Sequence, residues 1–242
     1  MKNIIKVLRS QFIKFDIDGY IIPKNDEYFS EYSNEDRLKE VSNFTGSAGY
    51  AVILQNKNYL FVDGRYTIQA KLESGKKFTI LDYKKIINCK VFKNLKIGFD
   101  PKLFTSDQIK KIFSNNKPKS IKKNLIDEVI NFKKIKVKSF YSLDQKITGE
   151  SHPKKIKRVI RYLKKNKLDH IFITAPENVA WLLNIRGHDN PNSPIPNSNL
   201  IISKNNKKFI ITNKNKLTRL IKEKRITEKE IVDPQNFKNL VN

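Results

Sequence analysis

The sequence predicts two mixed α/β domains, and three observations point to this fold class. Amphipathic helix patterns alternate with short apolar runs along the whole chain, which is typical of sheets flanked by helices. Both halves of the chain show the same order of patterns: a leading helix, a strand, a helix and a hairpin. Between the halves, lysines interrupt the apolar pattern over residues 132–138. We therefore predict domains at residues 1–140 and 141–242.

The first half begins with a helix over residues 2–15 and a short buried strand over residues 18–23. Asn34 is the predicted cap of a short helix, because Asn side chains accept hydrogen bonds from free helix amides. A hairpin follows, with strands at 50–54 and 59–62. The chain then turns at 63–66 into another helix. Thr105 is predicted to cap a helix that ends near residue 115. The remaining predicted elements are strands at 78–81 and 96–99, and a short strand and turn within 121–130.

The second half begins with a helix over residues 153–166, which Ser151 can cap. Its predicted apolar face consists of Ile156, Val159, Ile160 and Leu163. A buried strand is predicted at 170–174. The hairpin has strands at 199–203 and 208–212, joined by a turn at Asn205 and Asn206, and a helix at 213–220 follows it.

The segment from residue 174 to residue 189 is the most informative part of the second half. Thr174 and Glu177 have the spacing of a capping box, so we predict that a helix begins there. Gly187 is predicted to end this helix in a left-handed turn. The segment that follows contains Pro191, Pro194 and Pro196, and prolines exclude both a helix and a central strand. The sequence therefore predicts a capped helix followed by a rigid polar loop.

Composition limits the possible partners and compartment. The chain has 49 Lys and Arg against 24 Asp and Glu, a net charge of +25, and such a field attracts polyanions. The basic residues are mostly lysine and are spread over the chain, which favours a solvated surface over a nucleic-acid site. A single cysteine, Cys89, excludes an internal disulfide framework and fits a reducing compartment. No signal peptide or apolar run long enough to span a membrane is recognisable. We therefore expect a cytoplasmic protein without a membrane partner.

The residues by themselves indicate no catalytic constellation. The turn Gly46-Ser-Ala-Gly49 lacks the Lys-Ser/Thr of a phosphate-binding loop and leads into a strand, so we interpret it as structural. The three histidines do not have metal-ligand spacing. Asp63 and Arg65 emerge at a strand end, where sites are often built, but by themselves they favour a helix-start cap with a local ion pair. His188 beside Asp189 is the one histidine pair that suggests a ligand, although a solvated loop is the favoured interpretation.

Taken together, the motifs resemble a known family. Phe44-Thr-Gly-Ser-Ala-Gly49 and Val62-Asp-Gly-Arg-Tyr66 with Gln69-Ala70 resemble the N-terminal domain of aminopeptidase P, in the creatinase/prolidase family. Tyr20-Ile-Ile-Pro23 and Ser30-Glu-Tyr32 fit the same domain. Pro176-Glu-Asn-Val-Ala-Trp-Leu-Leu-Asn-Ile-Arg-Gly-His-Asp189 resembles the second domain of three-domain members. The resemblance implies two creatinase N-terminal-type, ribonuclease H-like domains, each a mixed sheet flanked by helices.

The family's chemistry is metal-assisted hydrolysis of the peptide bond before proline, usually with two manganese ions. Their ligands, two Asp, one His and two Glu, belong to a C-terminal domain whose motifs match no position here. The resemblance therefore implies a fragment, or a split or truncated gene product, that is inactive alone. It also implies peptides with proline at the second position as substrates of the complete enzyme, and a homodimer. The substrate-cleft candidates are Arg186, His188, Asp189, Asp63 and Arg65.

Two alternatives remain open at the level of sequence. The chain could be a stand-alone binder of polyanions or nucleic acid, which clustering of lysine on one face would favour. It could also be an oligomerisation or regulatory partner of a separately encoded catalytic chain.

Overall fold

A computed structural model describes residues 4–30, 34–87, 91–130, 132 and 136–237. The chain divides into two compact units, residues 1–134 and 135–242, whereas the boundary predicted from sequence lies close to residue 140. Cys89, Glu31 and Tyr32, which the sequence interpretation used, lie outside the described residues. In the part of the chain that is described, no helix is both long and apolar enough to cross a bilayer.

Within the described residues, the first unit contains one six-stranded sheet with the strand order β4-β3-β2-β1-β5-β6. The strands are β1 (Gly19–Pro23), β2 (Gly49–Leu54), β3 (Asn58–Val62), β4 (Thr79–Asp82), β5 (Lys96–Phe99) and β6 (Lys117–Ser120). The helices are α1 (Ile4–Ser10), α2 (Phe12–Phe15), α3 (Arg37–Ser42), α4 (Thr67–Ser74), α5 (Ser106–Ile112) and α6 (Leu125–Val129). β1, β2 and β3 pair antiparallel, while β3 with β4, β1 with β5 and β5 with β6 pair parallel. The sheet is therefore mixed, as predicted.

Both faces of this sheet are covered. Along β3, Leu60 and Val62 belong to one apolar cluster, and Tyr59 and Phe61 belong to another. Because successive side chains of a strand point to opposite faces, the two clusters lie on opposite sides of the sheet. α1, α3, α4 and α6 contribute to the first cluster, and α5 contributes to the second.

The described part of the second unit contains a four-stranded sheet with the order β12-β11-β10-β8 and a two-stranded ribbon of β7 with β9. The strands are β7 (Tyr141–Ser142), β8 (His170–Ile173), β9 (Ile185–Arg186), β10 (Asn199–Ser203), β11 (Lys208–Ile211) and β12 (Ile231–Val232). The helices are α7 (Gln145–Thr148), α8 (His152–Lys165), α9 (Pro176–Leu183) and α10 (Thr218–Lys222). β8, β10 and β11 pair antiparallel, and β11 pairs parallel with β12. The predicted hairpin is confirmed, with Asn206 in its turn at a φ of 63°.

One apolar cluster forms the core of the second unit. The predicted apolar face of α8 packs in it, through Ile156, Leu163 and the partly buried Val159 and Ile160. The prediction that β8 is buried was wrong, because Phe172 is 45% exposed. β8 is the outermost strand of this sheet among the described residues, and the cluster covers only one of its faces.

Two predicted helix starts were wrong. α9 has Ala175, not Thr174, at its N-cap position, and no side chain caps it. The reason is Pro176, because a proline disfavours helical geometry in the residue before it, so Ala175 cannot be the first helical residue. α3 is capped by Asp36 rather than Asn34, and the Asp36 carboxylate accepts a hydrogen bond from the Lys39 amide at 3.0 Å.

One predicted helix end and one predicted strand were also wrong. α9 ends at Leu183, and the left-handed residue after it is Asn184 (φ 52°), not Gly187. Asn tolerates this conformation because its short polar side chain can form local hydrogen bonds. In the first unit, the strand predicted within 121–130 is wrong, because β6 ends at Ser120 and the predicted range contains α6, which Asn124 caps through the Ile126 amide at 3.0 Å.

Candidate functional site

The small-residue loop at residues 44–49 of the first unit is hydrogen-bonded to α4. Glu73 of α4 accepts hydrogen bonds from the amide (2.8 Å) and the hydroxyl (2.7 Å) of Thr45. Gln69 donates to the same hydroxyl oxygen at 2.7 Å. Burial alone would raise the pKa of Glu73, but the hydrogen bonds from Thr45 and Gln69 hold it below its ordinary value. The loop 44–49 is thereby fixed to α4.

Aromatic and small residues also hold the 44–49 loop in place. The hydroxyls of Ser47 and Tyr66 are 2.9 Å apart, and the Tyr66 ring meets Phe44 edge-on at 5.8 Å between centroids. A side chain at Gly46 would place its Cβ 2.2 Å from the Phe44 ring, so this fully buried ring would have to shift. These contacts give the small-residue loop a packing role, and the loop leads into β2 rather than into a helix.

Asp63 and Arg65, the two candidates in the first unit, bond to each other. The Asp63 carboxylate accepts hydrogen bonds from the Arg65 amide (3.0 Å) and the Arg65 guanidinium (2.8 Å). These two bonds, the backbone one first, lower the pKa of Asp63. The side chains are 40% and 72% exposed, and exposed pairs contribute little to stability. The pair caps the short helical turn before α4 and lies in contact with solvent.

Arg186, in the second unit, contacts the end of α9. Its Nη1 donates to the carbonyl oxygens of Ala180 (3.3 Å) and Ile185 (2.8 Å). The residue lies in β9, opposite Tyr141 of β7. The guanidinium therefore satisfies carbonyl groups at a helix C-terminus, where positive charge is favourable.

Asp189 closes the loop that follows. Its carboxylate accepts a hydrogen bond from the Asn197 amide at 2.7 Å and forms an ion pair with Lys216 at 2.8 Å. The Gly187 amide donates to the Pro194 carbonyl at 3.0 Å. We call residues 187–197 the proline loop. These bonds join its two ends, so the loop is a closed and rigid element.

Gly187 is required by a close approach of two backbones. A Cβ at this position would lie 2.7 Å from Cα of Pro196 and 3.0 Å from the carbonyl oxygen of Ile195. Because backbone atoms cannot move aside as a flexible side chain can, any larger residue would displace the proline loop.

His188 is an exposed side chain of the proline loop, as are Pro191, Asn192 and Pro194. The centroid of its ring lies 5.3 Å from the centroid of the Tyr141 ring. The guanidinium of Arg219 lies 5.9 Å from the centroid of the same Tyr141 ring. An imidazole, a phenol and a guanidinium are thus grouped beside the loop. Such a group offers hydrogen-bond donors and stacking surface to a peptide.

A second polar cluster, at the C-terminal end of α9, was not among the predicted site residues. The buried ammonium group of Lys155 donates to the Trp181 carbonyl (2.9 Å) and to Oδ1 of Asn184 (2.8 Å). Nδ2 of Asn184 donates to the Glu150 carbonyl at 2.8 Å, and Arg225 donates to the Leu183 carbonyl at 2.7 Å. Burial lowers the pKa of both Lys155 and Arg225. One sequence signal points to this cluster but was not used in the prediction: Lys155 lies next to Ile156 on the apolar side of α8.

A metal site would need a cluster of carboxylate, imidazole or thiolate ligands. Among the described residues, no group of three or more His, Cys, Asp and Glu side chains could hold a metal ion. The described residues therefore do not fit a pair of metal ions, and no catalytic step through a metal is assigned to them.

Both units match known sequence families. Residues 5–129 match the family described as the creatinase/prolidase N-terminal domain, and residues 131–241 match a second family of the same description. Xaa-Pro aminopeptidase app-1 of Caenorhabditis elegans is 33% identical, over 76% of this chain and 33% of its own length. A probable Xaa-Pro aminopeptidase P of Laccaria bicolor is 32% identical, over 78% of this chain and 32% of its own length. The chain thus spans about a third of these relatives.

A solved structure shows the same fold. The X-prolyl aminopeptidase of Caenorhabditis elegans, described as a cytosolic enzyme with a di-nuclear active site, superimposes with a TM-score of 0.82 at 27% identity. The match covers 95% of this chain and 41% of that enzyme.

Proposed function

Because this chain belongs to the creatinase/prolidase family and corresponds to the N-terminal region of Xaa-Pro aminopeptidase-like proteins, we propose that it is the non-catalytic N-terminal region of such an enzyme. The complete enzyme would remove an N-terminal residue that precedes proline, with two divalent ions, manganese in our proposal, held outside this chain. Both units match in chain order, which supports this assignment. A cytoplasmic homodimer is part of the proposal.

The role we propose for the chain is to limit substrate access. The observation that carries this role is the proline loop. Asp189, Asn197 and Lys216 hold it closed, so contact with a peptide would cost little conformational entropy. It exposes His188 beside Tyr141 and Arg219. In this proposal Arg186 and Asp189 position the loop, and His188 contacts the peptide.

Asp63 and Arg65 are a second proposed contact. Their local ion pair is exposed, with 72% of the Arg65 side chain and 40% of the Asp63 side chain accessible to solvent. In the complete enzyme they would face a peptide or the partner subunit of the dimer.

The test joins this chain to the catalytic domain of a relative and measures turnover of Xaa-Pro peptides of increasing length. We expect His188→Ala to raise KM for the longer peptides by about threefold or more while leaving kcat nearly unchanged, because it removes binding and not chemistry. His170→Ala, which removes another exposed histidine of the same unit, is the matched control. Equal kinetics for His188→Ala and the control would overturn the role in access.

The chain without a catalytic domain should leave the same peptides intact. Chelator-sensitive cleavage that persists through repurification would contradict the non-catalytic assignment, whatever the result for His188.

A further inference from the structure

Charge is segregated in one segment of the second unit. Between Glu150 and Asp169 the chain contains no acidic residue. The basic residues of this segment are Lys154, Lys155, Lys157, Arg158, Arg161, Lys164, Lys165 and Lys167. Lysine is spread over the chain as a whole, but here every charged residue of one helix is basic.

The segregated charge forms one face of α8. The basic face, as we call it, consists of the exposed side chains of Lys154, Lys157, Arg158, Arg161, Lys164 and Lys165. Their spacing of three and four residues places them side by side over about 16 Å of helix. Among the described ion pairs, this face has one carboxylate partner, Glu150, which lies 2.9 Å from Arg158.

Two exposed aromatic rings border the basic face. Trp181 is 54% exposed and Tyr162 is 57% exposed. The Lys155 ammonium lies 4.1 Å from the centroid of the Trp181 ring, and the Arg158 guanidinium lies 5.8 Å from it. Tyr162 is one helical turn beyond Arg158 on the same side of α8. Lys155 is itself fixed by two hydrogen bonds, so the orientation of the indole ring is fixed while much of its surface faces solvent.

We propose that the basic face of α8, with Trp181 and Tyr162, binds single-stranded nucleic acid. Phosphates would lie along the lysines and arginines, and bases would stack on the two rings. This combination of a cationic track with exposed aromatic platforms is the usual basis of sequence-independent single-strand binding. This binding is separate from the proposed role in substrate access and does not depend on it.

Other anionic partners fit less well. A membrane-binding amphipathic helix inserts its apolar face, but Ile156 and Leu163 of α8 are buried in the core. An acidic protein segment would pair with the cations and leave both rings without a role. Bases in a duplex are already stacked on one another, so a duplex cannot use the rings either.

The test uses the chain's single tryptophan as the reporter. Oligothymidylate of about twelve nucleotides, a length within the usual site sizes, should quench Trp181 fluorescence on binding at low salt. We expect Lys157→Glu, Arg161→Glu and Lys164→Glu together to weaken binding by about tenfold or more and to flatten its salt dependence. Lys84→Glu, Lys110→Glu and Lys111→Glu together change the net charge equally at exposed sites of the first unit, and should weaken binding by less than about threefold.

The rings are tested separately. Tyr162→Ala should weaken binding about fivefold or more, whereas Tyr162→Phe should preserve it, because stacking needs the ring and not the hydroxyl. Equal weakening by the two charge-reversal triples would overturn the proposal, since binding would then reflect net charge alone. Equal affinity for duplex DNA, or tighter binding of polyglutamate with the same quenching, would also overturn it, the latter in favour of an acidic protein partner.

Discussion

In both units a helix precedes the first strand of the sheet, a second helix connects that strand to a hairpin, and a short helix leads from the hairpin to another strand. β1, β2, β3 and β4 lie in the same order as β8, β10, β11 and β12 and pair in the same directions. The two sheets differ in how many of their faces carry an apolar cluster. Apolar clusters lie on both faces of the first sheet, whereas the described core of the second lies on one face. The shared strand order therefore does not depend on how the sheet is covered.

The polar contacts of the second helix differ as well. α3 and α9 both end at an asparagine in the left-handed conformation, Asn43 (φ 65°) and Asn184 (φ 52°). α3 is held at its start, where Arg37 bonds to Asp127 at 2.7 and 2.9 Å and to Glu27 at 2.8 Å. α9 is held at its end by Lys155, Arg186 and Arg225. The comparison teaches that equivalent helices can be fixed by unrelated polar contacts.

The largest expected effect comes from removing the contact that is specific to α3. Burial alone would lower the pKa of Arg37, but its ion pairs with Asp127 and Glu27 raise it. Arg37→Met should destabilise the first unit by about 3 kcal/mol, because it removes three charge-assisted hydrogen bonds made by a buried guanidinium.

Denaturant unfolding, monitored separately in each unit by amide hydrogen exchange, measures this change in the free energy of unfolding. Lys123→Met removes a cation whose side chain is 80% exposed, and it should cost less than about 0.5 kcal/mol. If the two variants were equally stable, the Arg37 contact would not be what holds α3.

The two helix ends give a matched pair of changes. Glycine adopts the left-handed conformation freely, so Asn43→Gly, at an exposed position, should change the free energy of unfolding by less than about 0.5 kcal/mol. Asn184→Gly keeps the same backbone but removes the acceptor for Lys155 and the donor to the Glu150 carbonyl. It should cost about 2 kcal/mol, because a buried ammonium loses a hydrogen bond. Trp181 fluorescence during urea unfolding measures the second unit, and equal effects of the two variants would show that only backbone conformation matters.

Sequence patterns predicted the helices and strands better than the polar contacts between them. Period-two and period-3.6 patterns depend on neighbours in the chain, so the hairpins and the apolar face of α8 could be predicted. The capping-box spacing of Thr174 and Glu177 did not predict the N-cap of α9, because Pro176 keeps the residue before it out of helical geometry. Lys155 and Asn184 are 29 residues apart, and no local pattern connects them. Arg186, His188 and Asp189 were predicted as a group, but their contacts with Tyr141, Asn197 and Lys216 join residues distant in the chain, which no local pattern connects.

The smallest expected effect concerns pH, where the two units should respond in opposite directions. Burial, followed by the nearby charges of Arg225 and Lys208, lowers the pKa of His152 to about 4. In the first unit, burial raises the pKa of Asp26. As pH falls, protonation of Asp26 relieves a buried charge and favours the folded first unit.

Protonation of His152 has the opposite effect on folding stability. An unfolded histidine takes up a proton near pH 6.5, whereas the folded one does so only near pH 4. Between these values the unfolded state binds more protons, so the second unit loses stability as pH falls from about 6.5 to about 4. Because His152 is only partly buried, solvent screening limits the loss to about 1 kcal/mol. His152→Asn should flatten the pH dependence of the urea midpoint reported by Trp181, and His170→Asn, which removes a histidine away from α8, is the control. A pH dependence that persists in His152→Asn would assign the effect to other groups and would remove this contrast between the units.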